Sequence, residues 1–321
     1  MSELSRRLFL QGACAIGACS PMLAAVANAK AQNFFAGHKL PIGIQLYTLG
    51  DLTTKDLDGT LKQVSSIGYR TVELAGYMGK TPKQLRTAFD AAGVKATSAH
   101  IGLAKGTDAE PKLFDDLGRV ADDMHVIGAT HIIAPAMNKP EEIVLPPGSP
   151  AGALGLAKAA TMMSEDQWKR MAKQLNDIGG KLKPHGISFG YHNHNIEFVP
   201  VGSRTGFDVL LAETDPSLVT FEMDIGWVAA AGKDPIALFD QHRGRFGLAH
   251  MKDVKADTVA NFEFKMDPTE VGSGKLDWSK ILPAAYKAGV RKFFVEQEAP
   301  FAFPRLESAE KCYTFLSRVK A

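Results

Sequence analysis

Two histidines occur close together in the segment 191–198, which reads YHNHNIEF and directly follows the apolar run GISFG. His192 and His194 are two positions apart, so in an extended chain their side chains point to the same side. Imidazoles bind divalent metals and carry protons near neutral pH. The pattern therefore predicts a polar site at the end of a buried strand.

Other apolar runs of the sequence also end in residues that bind metals or transfer protons. These strand-end residues are Glu73, His100, Asp224, His250 with Lys252, and Glu296 with Glu298. Any one of them taken alone is also consistent with a helix cap or an ion pair. Isolated buried charges are costly, however, so charged groups at the ends of this many apolar runs indicate one shared polar site.

Four of these residues form the predicted metal site: His192, Asp224, His250 and Glu296. They are separated by 32, 26 and 46 residues along the chain, which corresponds to one strand and one helix each. Two imidazoles and two carboxylates suit one divalent ion of the Mn²⁺, Co²⁺, Fe²⁺ or Zn²⁺ type better than Mg²⁺ or Ca²⁺, which prefer oxygen ligands. We take His192 as the ligand because it closes the strand, with His194 facing the substrate. The reverse assignment stays open.

Eight apolar runs of strand length alternate with segments of helical spacing. The runs lie at 42–49, 71–75, 94–101, 131–137, 187–193, 219–225, 246–253 and 292–298. This alternation predicts a (β/α)8 TIM barrel, whose active site lies at the carboxyl ends of the strands. A doubly wound open sheet is the alternative, but the sequence has no Gly-rich phosphate-binding fingerprint.

The clearest helical segment is 164–183, where apolar residues recur every three or four positions and Ser164 with Gln167 forms a capping box. The longest excursions, 138–163 and 254–276, both follow strands. In a barrel they would lie on the face that carries the active site.

The first 31 residues carry the pattern of a twin-arginine signal peptide. Arg6 and Arg7 precede a short apolar stretch, and Ala29 and Ala31 mark cleavage sites. We therefore expect residues 1–31 to be removed, residues 32–321 to form a single catalytic domain, and the mature protein to reach the periplasm by the twin-arginine route. A buried helix, a membrane anchor and a lipoprotein lipidated at Cys19 are the alternatives. They fit less well, because polar residues interrupt the stretch.

Removal of the signal changes the charge of the chain. The full sequence has 37 basic and 35 acidic residues, and the loss of three basic and one acidic residue leaves 34 of each. This balance argues against a nucleic-acid surface, and we expect no membrane association of the mature form.

Of the three cysteines, Cys312 alone would remain after removal of the signal, which excludes an internal disulfide, and we expect it to pack on the last helix. The Phe-rich segments FFAG and PFAFP are candidate interfaces of a homo-oligomer.

In their order along the chain, the motifs YHNHNIEF, FEMDIGW, HMKD, VGSGKLDW and VEQE resemble the sugar phosphate isomerase/epimerase family of the xylose isomerase-like TIM barrel superfamily. GIQLYTL and GYRTVELAG fit the same pattern, so the resemblance spans the chain from about residue 42 to the last helix. It implies one metal ion, three of whose ligands fall on Asp224, His250 and Glu296. Many relatives carry a glutamate on strand five, whereas this chain has histidines and its nearest acid is Glu197.

Such a site implies chemistry next to a sugar carbonyl. A metal ion bound to adjacent hydroxyl and carbonyl oxygens acidifies the C–H between them, and a base then removes the proton to form an enediolate. Glu73 is the candidate base, His194 the candidate acid, and Lys252 the group that neutralises the oxyanion. An ion pair is the other interpretation of Glu73.

Three further residues are candidates for substrate binding. Gln45 and His100 are expected to hydrogen-bond hydroxyl groups, and Trp227 is expected to stack on a sugar face, although packing alone also explains a tryptophan there. The predicted partner is therefore a small carbohydrate.

The predicted function is a divalent-metal-dependent isomerase or epimerase of a non-phosphorylated sugar or keto-sugar, because sugar phosphates are chiefly cytoplasmic and this chain carries an export signal. A lyase or hydratase acting on 3-keto-glycosides is the alternative. The missing strand-five glutamate favours it, since epimerases of the superfamily pair that glutamate with one on strand eight. An abasic-site endonuclease, known in the superfamily, fits poorly with a neutral exported chain. A non-catalytic sugar-binding barrel is the remaining hypothesis.

Overall fold

Eight parallel strands form a closed barrel in the computed structural model, which describes residues 33–320. The barrel strands, labelled β1 to β8 in chain order, are Gly43–Gln45, Thr71–Ala75, Lys95–His100, His131–Ala134, Ser188–His192, Val219–Asp224, Phe246–Met251 and Lys292–Val295. Each strand pairs in parallel with its neighbours in the chain, and β8 pairs with β1. The predicted (β/α)8 TIM barrel is confirmed, and all carboxyl ends of the strands lie at one rim.

Helices alternate with the strands. Within residues 33–320 the helices, labelled α1 to α12, are Phe34–Gly37, Asp51–Lys55, Leu57–Ile67, Pro82–Ala92, Leu117–Ile127, Gly152–Ala160, Glu165–Leu182, Gly206–Glu213, Ile225–Ala230, Pro235–Gln241, Trp278–Ala288 and Arg305–Leu316. Short 3-10 helices lie at Leu46–Leu49, Lys183–His185 and Ile196–Phe198. None of the helices in this part of the chain is long and apolar enough to cross a membrane. The expected signal peptide lies outside the described residues.

Large apolar side chains fill the barrel interior below the carboxyl-end rim. Ile133, Leu248 and Phe294 form a buried cluster of their own, separate from the core between strands and helices. Two glycines leave space for this cluster, because a side chain at either position would collide with it. A Cβ on Gly43 would lie 2.4 Å from Cδ1 of Phe294, and a Cβ on Gly190 would lie 2.7 Å from Cδ1 of Ile133. The lumen is therefore a packed floor and not a pore.

The predicted helix 164–183 is observed as α7, Glu165–Leu182. The hydroxyl of Ser164 accepts a hydrogen bond from the backbone N–H of Gln167, and the Gln167 side chain accepts one from the backbone N–H of Ser164. This capping box satisfies two N–H groups at the helix start. The apolar stripe that includes Trp168 is buried against the barrel.

Two predicted elements differ from those observed. The run 42–49 is a strand only from Gly43 to Gln45, because the Gln45 side chain accepts a 3.1 Å hydrogen bond from the backbone N–H of Tyr47 and the chain turns into a 3-10 helix. The excursion 138–163 contains α6, Gly152–Ala160, whose Ala-rich sequence favours a helix.

The excursion 254–276 is anchored by Asp253. Its carboxylate accepts hydrogen bonds from the backbone N–H groups of Gly272 and Leu276, at 3.0 and 3.3 Å, and from Nε1 of Trp278 at 2.9 Å. A two-stranded ribbon, Asp253–Val254 with Pro268–Thr269, lies at its base. The loop is therefore held at the carboxyl end of β7, where the predicted site lies.

The two aromatic rings of the segment FFAG are buried within this chain, and a homo-oligomer stays a prediction. Phe34 and Phe35 are 1% and 3% exposed and pack edge-on against Phe293 of the same chain, with ring centroids 6.0 and 5.6 Å away. Cys312 is buried on α12, as expected. Its sulfur accepts a hydrogen bond from the backbone N–H of Val271.

Candidate metal centre and active site

The four predicted metal ligands converge at the carboxyl-end rim. His192 ends β5, Asp224 ends β6, His250 lies one residue before the end of β7, and Glu296 directly follows β8. Asp224 is in register with His250. All four residues are buried, and one ligand atom of each lies within 4.8 Å of the others. The structure therefore brings together two imidazoles and two carboxylates at the spacing of a metal site.

The environment of these carboxylates fits a cation. Oδ2 of Asp224 is buried. The ammonium of Lys252 lies 2.8 Å from that oxygen and 2.8 Å from Oε2 of Glu296. Two buried carboxylates this close to one cation are stable only with positive charge between them. A divalent ion held by the set would meet the same demand.

Lys252 contacts both the metal set and Glu298, which is partly exposed. Its ammonium lies 2.6 Å from Oε1 of Glu298, whose side chain is 23% exposed. The same oxygen accepts a 3.2 Å hydrogen bond from Nε1 of Trp227. Burial works against the charge of Lys252, but Asp224, Glu296 and Glu298 outweigh it and raise its pKa well above the usual value. Lys252 is therefore an ammonium at neutral pH.

A second charged group, here called the inner cluster, lies against the ring of His250 and comprises Gln45, Glu73, His100 and Glu222. Oε2 of Glu73 lies 2.6 Å from Nε2 of His250 and accepts a 2.9 Å hydrogen bond from Nε2 of Gln45. Nε2 of His100 lies 2.8 Å from Oε2 of Glu222 and 3.2 Å from Oε2 of Glu73. Both carboxylates are 0% exposed.

The inner cluster contains three residues that were predicted for catalysis or substrate binding. Glu73, the predicted base, contacts His250 at Nε2, whereas Glu296 of the metal set contacts the same ring at Nδ1, 2.9 Å away. Glu73 therefore lies on a different side of the ring from the metal set. Its role as a base, and hydroxyl binding by Gln45 and His100, stay predictions.

Burial and charge divide the histidines into two classes. Burial lowers the pKa of His192 and His194 well below the usual value, and nearby positive charges add to this. Burial also acts on His100, but Glu73 and Glu222 outweigh it and raise its pKa to about 9. His192 and His194 are therefore neutral near pH 7. A neutral imidazole is the form that binds a metal or accepts a proton.

The buried carboxylates repel one another. Burial raises the pKa of Glu222 to about 7, and the negative charge of Glu73 adds to the effect. Burial also raises the pKa of Asp224 to about 6, against the opposing effect of Lys252. Burial acts on Glu73 in the same way, but His100 outweighs it and lowers the pKa of Glu73 below its usual value. Negative charge is thus concentrated here, which favours cation binding.

Three rings form a wall beside the metal set, here called the aromatic wall: His194, Trp227 and Phe264. The ring centroids of His194 and Phe264 are 4.3 Å apart, and each lies 5.3 to 5.4 Å from that of Trp227. Trp227 is 1% exposed, whereas Phe264 is half-buried. The indole is thus packed against the two other rings, and sugar stacking on Trp227 stays a prediction.

Asn195 ties the excursion 254–276 to the segment after β5. It is 0% exposed, and its Nδ2 donates hydrogen bonds to the backbone carbonyl of Asn261 at 3.0 Å, to Oδ1 of Asn261 at 2.9 Å and to the carbonyl of Lys265 at 3.3 Å. Phe264 lies within this turn with a φ of 59°, which is uncommon for a bulky residue. The turn is therefore held in a strained form that places Phe264 against His194.

Two carboxylates of the site had no predicted role. Glu222 lies two positions before Asp224 on β6, and Glu298 lies two positions after Glu296. Residues at i and i+2 of an extended segment share a face, so each would be expected beside its predicted neighbour. The alternation rule that linked His192 to His194 would have found Glu222, whereas Glu298 is already among the strand-end residues of the sequence.

A family model described as xylose isomerase-like TIM barrel matches residues 61–310 of the chain. The chain belongs to this family. An inosose dehydratase of Lacticaseibacillus casei is 24% identical to this chain over 273 residues, which cover 80% of this chain and 87% of that protein.

Solved structures with the same fold are also similar to this chain. A sugar phosphate isomerase/epimerase from Parabacteroides distasonis has a TM-score of 0.66 and 25% identity, covering 86% of this chain and 97% of that chain. The IOLI protein with a bound zinc atom has a TM-score of 0.58 and 14% identity, covering 88% of this chain and 99% of that chain. Both a dehydratase and an isomerase/epimerase are thus among its relatives.

Proposed function

We propose that the protein is a divalent-metal-dependent lyase that eliminates water, or another β-leaving group, from a non-phosphorylated cyclic keto-sugar or keto-polyol. The observation that carries this proposal is the neutral imidazole of His194. Its ring centroid lies 4.9 Å from that of His192, and its Nδ1 has no hydrogen-bond partner among residues 33–320. The similarity to an inosose dehydratase supports the same reaction class.

The metal set, His192, Asp224, His250 and Glu296, would hold the ion. When bound, a divalent ion polarises a substrate carbonyl and acidifies the neighbouring C–H. Lys252 would donate a hydrogen bond to the carbonyl oxygen as negative charge develops there. Glu298 and Trp227 restrain Lys252 for this role, through contacts of 2.6 Å from Glu298 to the ammonium and 3.2 Å from Glu298 to the indole N–H.

His194 would act twice in the elimination. A ring nitrogen of His194 accepts the proton from the carbon next to the carbonyl, because the neutral ring has a free electron pair. The C–H electrons form the double bond as the bond to the β-oxygen breaks. The same imidazole then returns its proton to the departing oxygen, which leaves as water. One proton-transfer group on one side of the substrate is sufficient for these two steps.

The surroundings favour a ring-shaped, uncharged substrate. The carboxylates of Asp224, Glu296 and Glu298 surround Lys252 and would repel a phosphate group. Phe264 presents a partly exposed aromatic ring beside His194, and aromatic rings stack on the C–H faces of cyclic carbohydrates.

An isomerase or epimerase is the second candidate, and Glu298 is the observation that favours it. The carboxylate follows β8, whereas His194 follows β5, so the site has proton-transfer groups on two sides. Removal of a proton on one face and its return on the other would invert a carbon centre. The similarity to an isomerase/epimerase of Parabacteroides distasonis supports this candidate.

The test is proton–deuterium exchange in deuterated water, followed by NMR. The metal-loaded protein is incubated with an inosose, a 3-keto-glucoside and a free ketohexose. We expect exchange next to the carbonyl together with an unsaturated product, and loss of both with a chelator. Exchange with an epimer and no unsaturated product would support the second candidate. No exchange with any of the three would overturn both.

Two variants locate the chemistry within the site. His250→Ala is expected to lose metal and exchange together. His194→Asn is expected to keep the metal. Its rate of proton–deuterium exchange should be at least 100-fold lower, because the general base is lost. A His194→Asn protein with unchanged exchange would place the base elsewhere, with Glu73 the next residue to test.

We further propose that residues 1–31 direct export to the periplasm by the twin-arginine route. The pair Arg6–Arg7 and the small residues before position 32 support this. The test is the cellular fraction that holds the full-length protein and its Arg6→Lys, Arg7→Lys variant. Retention of the variant in the cytoplasm, with the unchanged protein in the periplasm, is the expected result. The same location for both would contradict it.

A further inference from the structure

We propose that Glu222 is a positioning residue that sets the ring nitrogen through which His192 binds a metal ion. The inference rests on the metal-binding part of the proposed function. It gives the inner cluster a role distinct from proton abstraction and substrate binding.

The two nitrogens of His192 face different groups. Nδ1 lies 3.2 Å from Oε2 of Glu222, and Nε2 lies 3.7 Å from Oδ2 of Asp224. One nitrogen therefore faces the inner cluster and the other faces a member of the metal set.

His250 differs from His192. Its Nε2 lies 2.6 Å from Oε2 of Glu73 and 3.2 Å from Oε2 of Glu222. Its Nδ1 lies 2.9 Å from Oε2 of Glu296. A carboxylate thus lies within hydrogen-bonding distance of each ring nitrogen of His250, and these contacts select no single tautomer.

The contact with Glu222 determines which nitrogen of His192 carries hydrogen. Oε2 of Glu222 lies 3.2 Å from Nδ1 of His192. A carboxylate oxygen without a proton only accepts hydrogen bonds, so Nδ1 must donate. A neutral imidazole that donates from one nitrogen has its electron pair on the other. His192 is then a ligand through Nε2, which lies 3.7 Å from Oδ2 of Asp224, beyond hydrogen-bonding distance.

This arrangement makes metal binding depend on residues that do not touch the ion. A carboxylate behind a histidine ligand fixes the ring, selects the tautomer and makes the ligand more basic, and its loss typically weakens metal binding 10- to 100-fold. Without Glu222, His192 would lose the acceptor at Nδ1 and would populate both tautomers.

A second ion is the competing explanation, because His100, His192, Glu222 and His250 also have ligand atoms within 4.8 Å of one another. This set shares His192 and His250 with the first. Each shared ring would need to lose both nitrogen-bound hydrogens to bind two ions at once. We therefore expect one ion per chain.

The first experiment is a Zn²⁺ titration in competition with a chromogenic chelator. It compares the wild type, Glu222→Gln and Glu270→Gln. Glu270 is a matched control, since it is 3% exposed and accepts a hydrogen bond from Ser308 away from the metal set. We expect one Zn²⁺ per chain in all three and a dissociation constant 10- to 100-fold higher in Glu222→Gln only. An unchanged constant in Glu222→Gln would overturn the inference. Two ions in the wild type and one in Glu222→Gln would replace it with a second metal site.

The second experiment needs no variant. Long-range ¹H–¹⁵N NMR of the zinc-loaded wild type, with ¹⁵N-labelled histidine, reports the tautomer of each ring. Hydrogen on Nδ1 of His192 is the expected result, and hydrogen on Nε2 instead would overturn the inference. Neither experiment requires turnover. A protein with this tautomer and no proton exchange would therefore refute the proposed reaction while leaving the role of Glu222 intact.

Discussion

Oδ2 of Asp224 lies 2.8 Å from the ammonium nitrogen of Lys252, and Oε2 of Glu296 lies at the same distance from it. Both carboxylates belong to the predicted metal set. An ammonium and a divalent ion therefore compete for the same two carboxylates. Metal binding must move Lys252 or share its partners, and Glu298 is positioned to retain the ammonium, 2.6 Å away.

Replacement of Lys252 by methionine tests this competition. The metal-free variant is expected to lose about 3 to 5 kcal/mol of stability, because removing one partner of a buried ion pair leaves the others uncompensated. Zn²⁺ should stabilise it more than the wild type, since no ammonium has to be displaced. Denaturant unfolding with and without Zn²⁺ measures both effects. Lys265→Met is the control, because Lys265 and its partner Glu263 are 65% and 67% exposed and such pairs contribute about 0 to 1 kcal/mol. An equal gain from Zn²⁺ in Lys252→Met and the wild type would contradict the competition.

The metal set should stabilise the fold when occupied. A ligand present at 100 times its dissociation constant raises the free energy of unfolding by about 2.7 kcal/mol. We expect Zn²⁺, Co²⁺ and Mn²⁺ to raise the melting temperature of the wild type, and a chelator to reverse the change. Asp224→Asn should abolish the shift because it removes a charged ligand. A full shift in Asp224→Asn would place the ion outside this set.

The barrel was predictable because its signals are local and repeated. Each strand is an apolar run followed by a helical segment, and parallel strands in sequence order close only one way. The convergence of His192, Asp224, His250 and Glu296 followed from the same rule, since all strand ends meet at one rim. Strand lengths were less accurate. At Gln45 a side-chain hydrogen bond to Tyr47 redirects the backbone, which an apolar pattern does not register.

The inner cluster and the aromatic wall could not be predicted in this way. The contact between Glu73 and His250 joins residues 177 positions apart across the lumen, so it depends on the packed interior and not on a local pattern. Phe264 reaches His194 only because Asn195 and Asp253 hold the excursion 254–276 in place. These are contacts between loops and strands that no single motif contains.

Phe264 is expected to contribute to recognition of a ring-shaped substrate. Phe264→Ala should raise KM about fivefold with little change in kcat, because one aromatic contact contributes about 1 kcal/mol. Asn195→Ala should act in the same direction, since it releases the turn that carries Phe264. Steady-state kinetics with the substrate found by proton exchange is the measurement. Phe303→Ala is the control, because Phe303 is 39% exposed and lies against Lys311. An unchanged KM in both site variants would exclude stacking on Phe264.

Glu197 should make stability depend on pH. It is 0% exposed and accepts hydrogen bonds from the Tyr191 hydroxyl at 2.6 Å and the His194 backbone N–H at 2.8 Å. Burial raises its pKa from 4.5 to about 7, although these hydrogen bonds oppose the shift. The folded state therefore binds the proton more tightly than the unfolded state does. The stability that the protonated carboxyl contributes is complete below pH 4.5 and is lost as pH rises through 7.

Glu197→Gln mimics the protonated form at every pH and so isolates this contribution. Relative to the wild type, the variant should gain about 3 kcal/mol between pH 4 and pH 8, because 1 pKa unit corresponds to about 1.4 kcal/mol. Urea unfolding of both proteins at the two pH values measures the change, and any constant offset between them cancels. Glu307→Gln is the control, since Glu307 is 46% exposed on α12. A difference for Glu197→Gln that stays constant with pH would mean that Glu197 is ionised in the folded protein throughout this range.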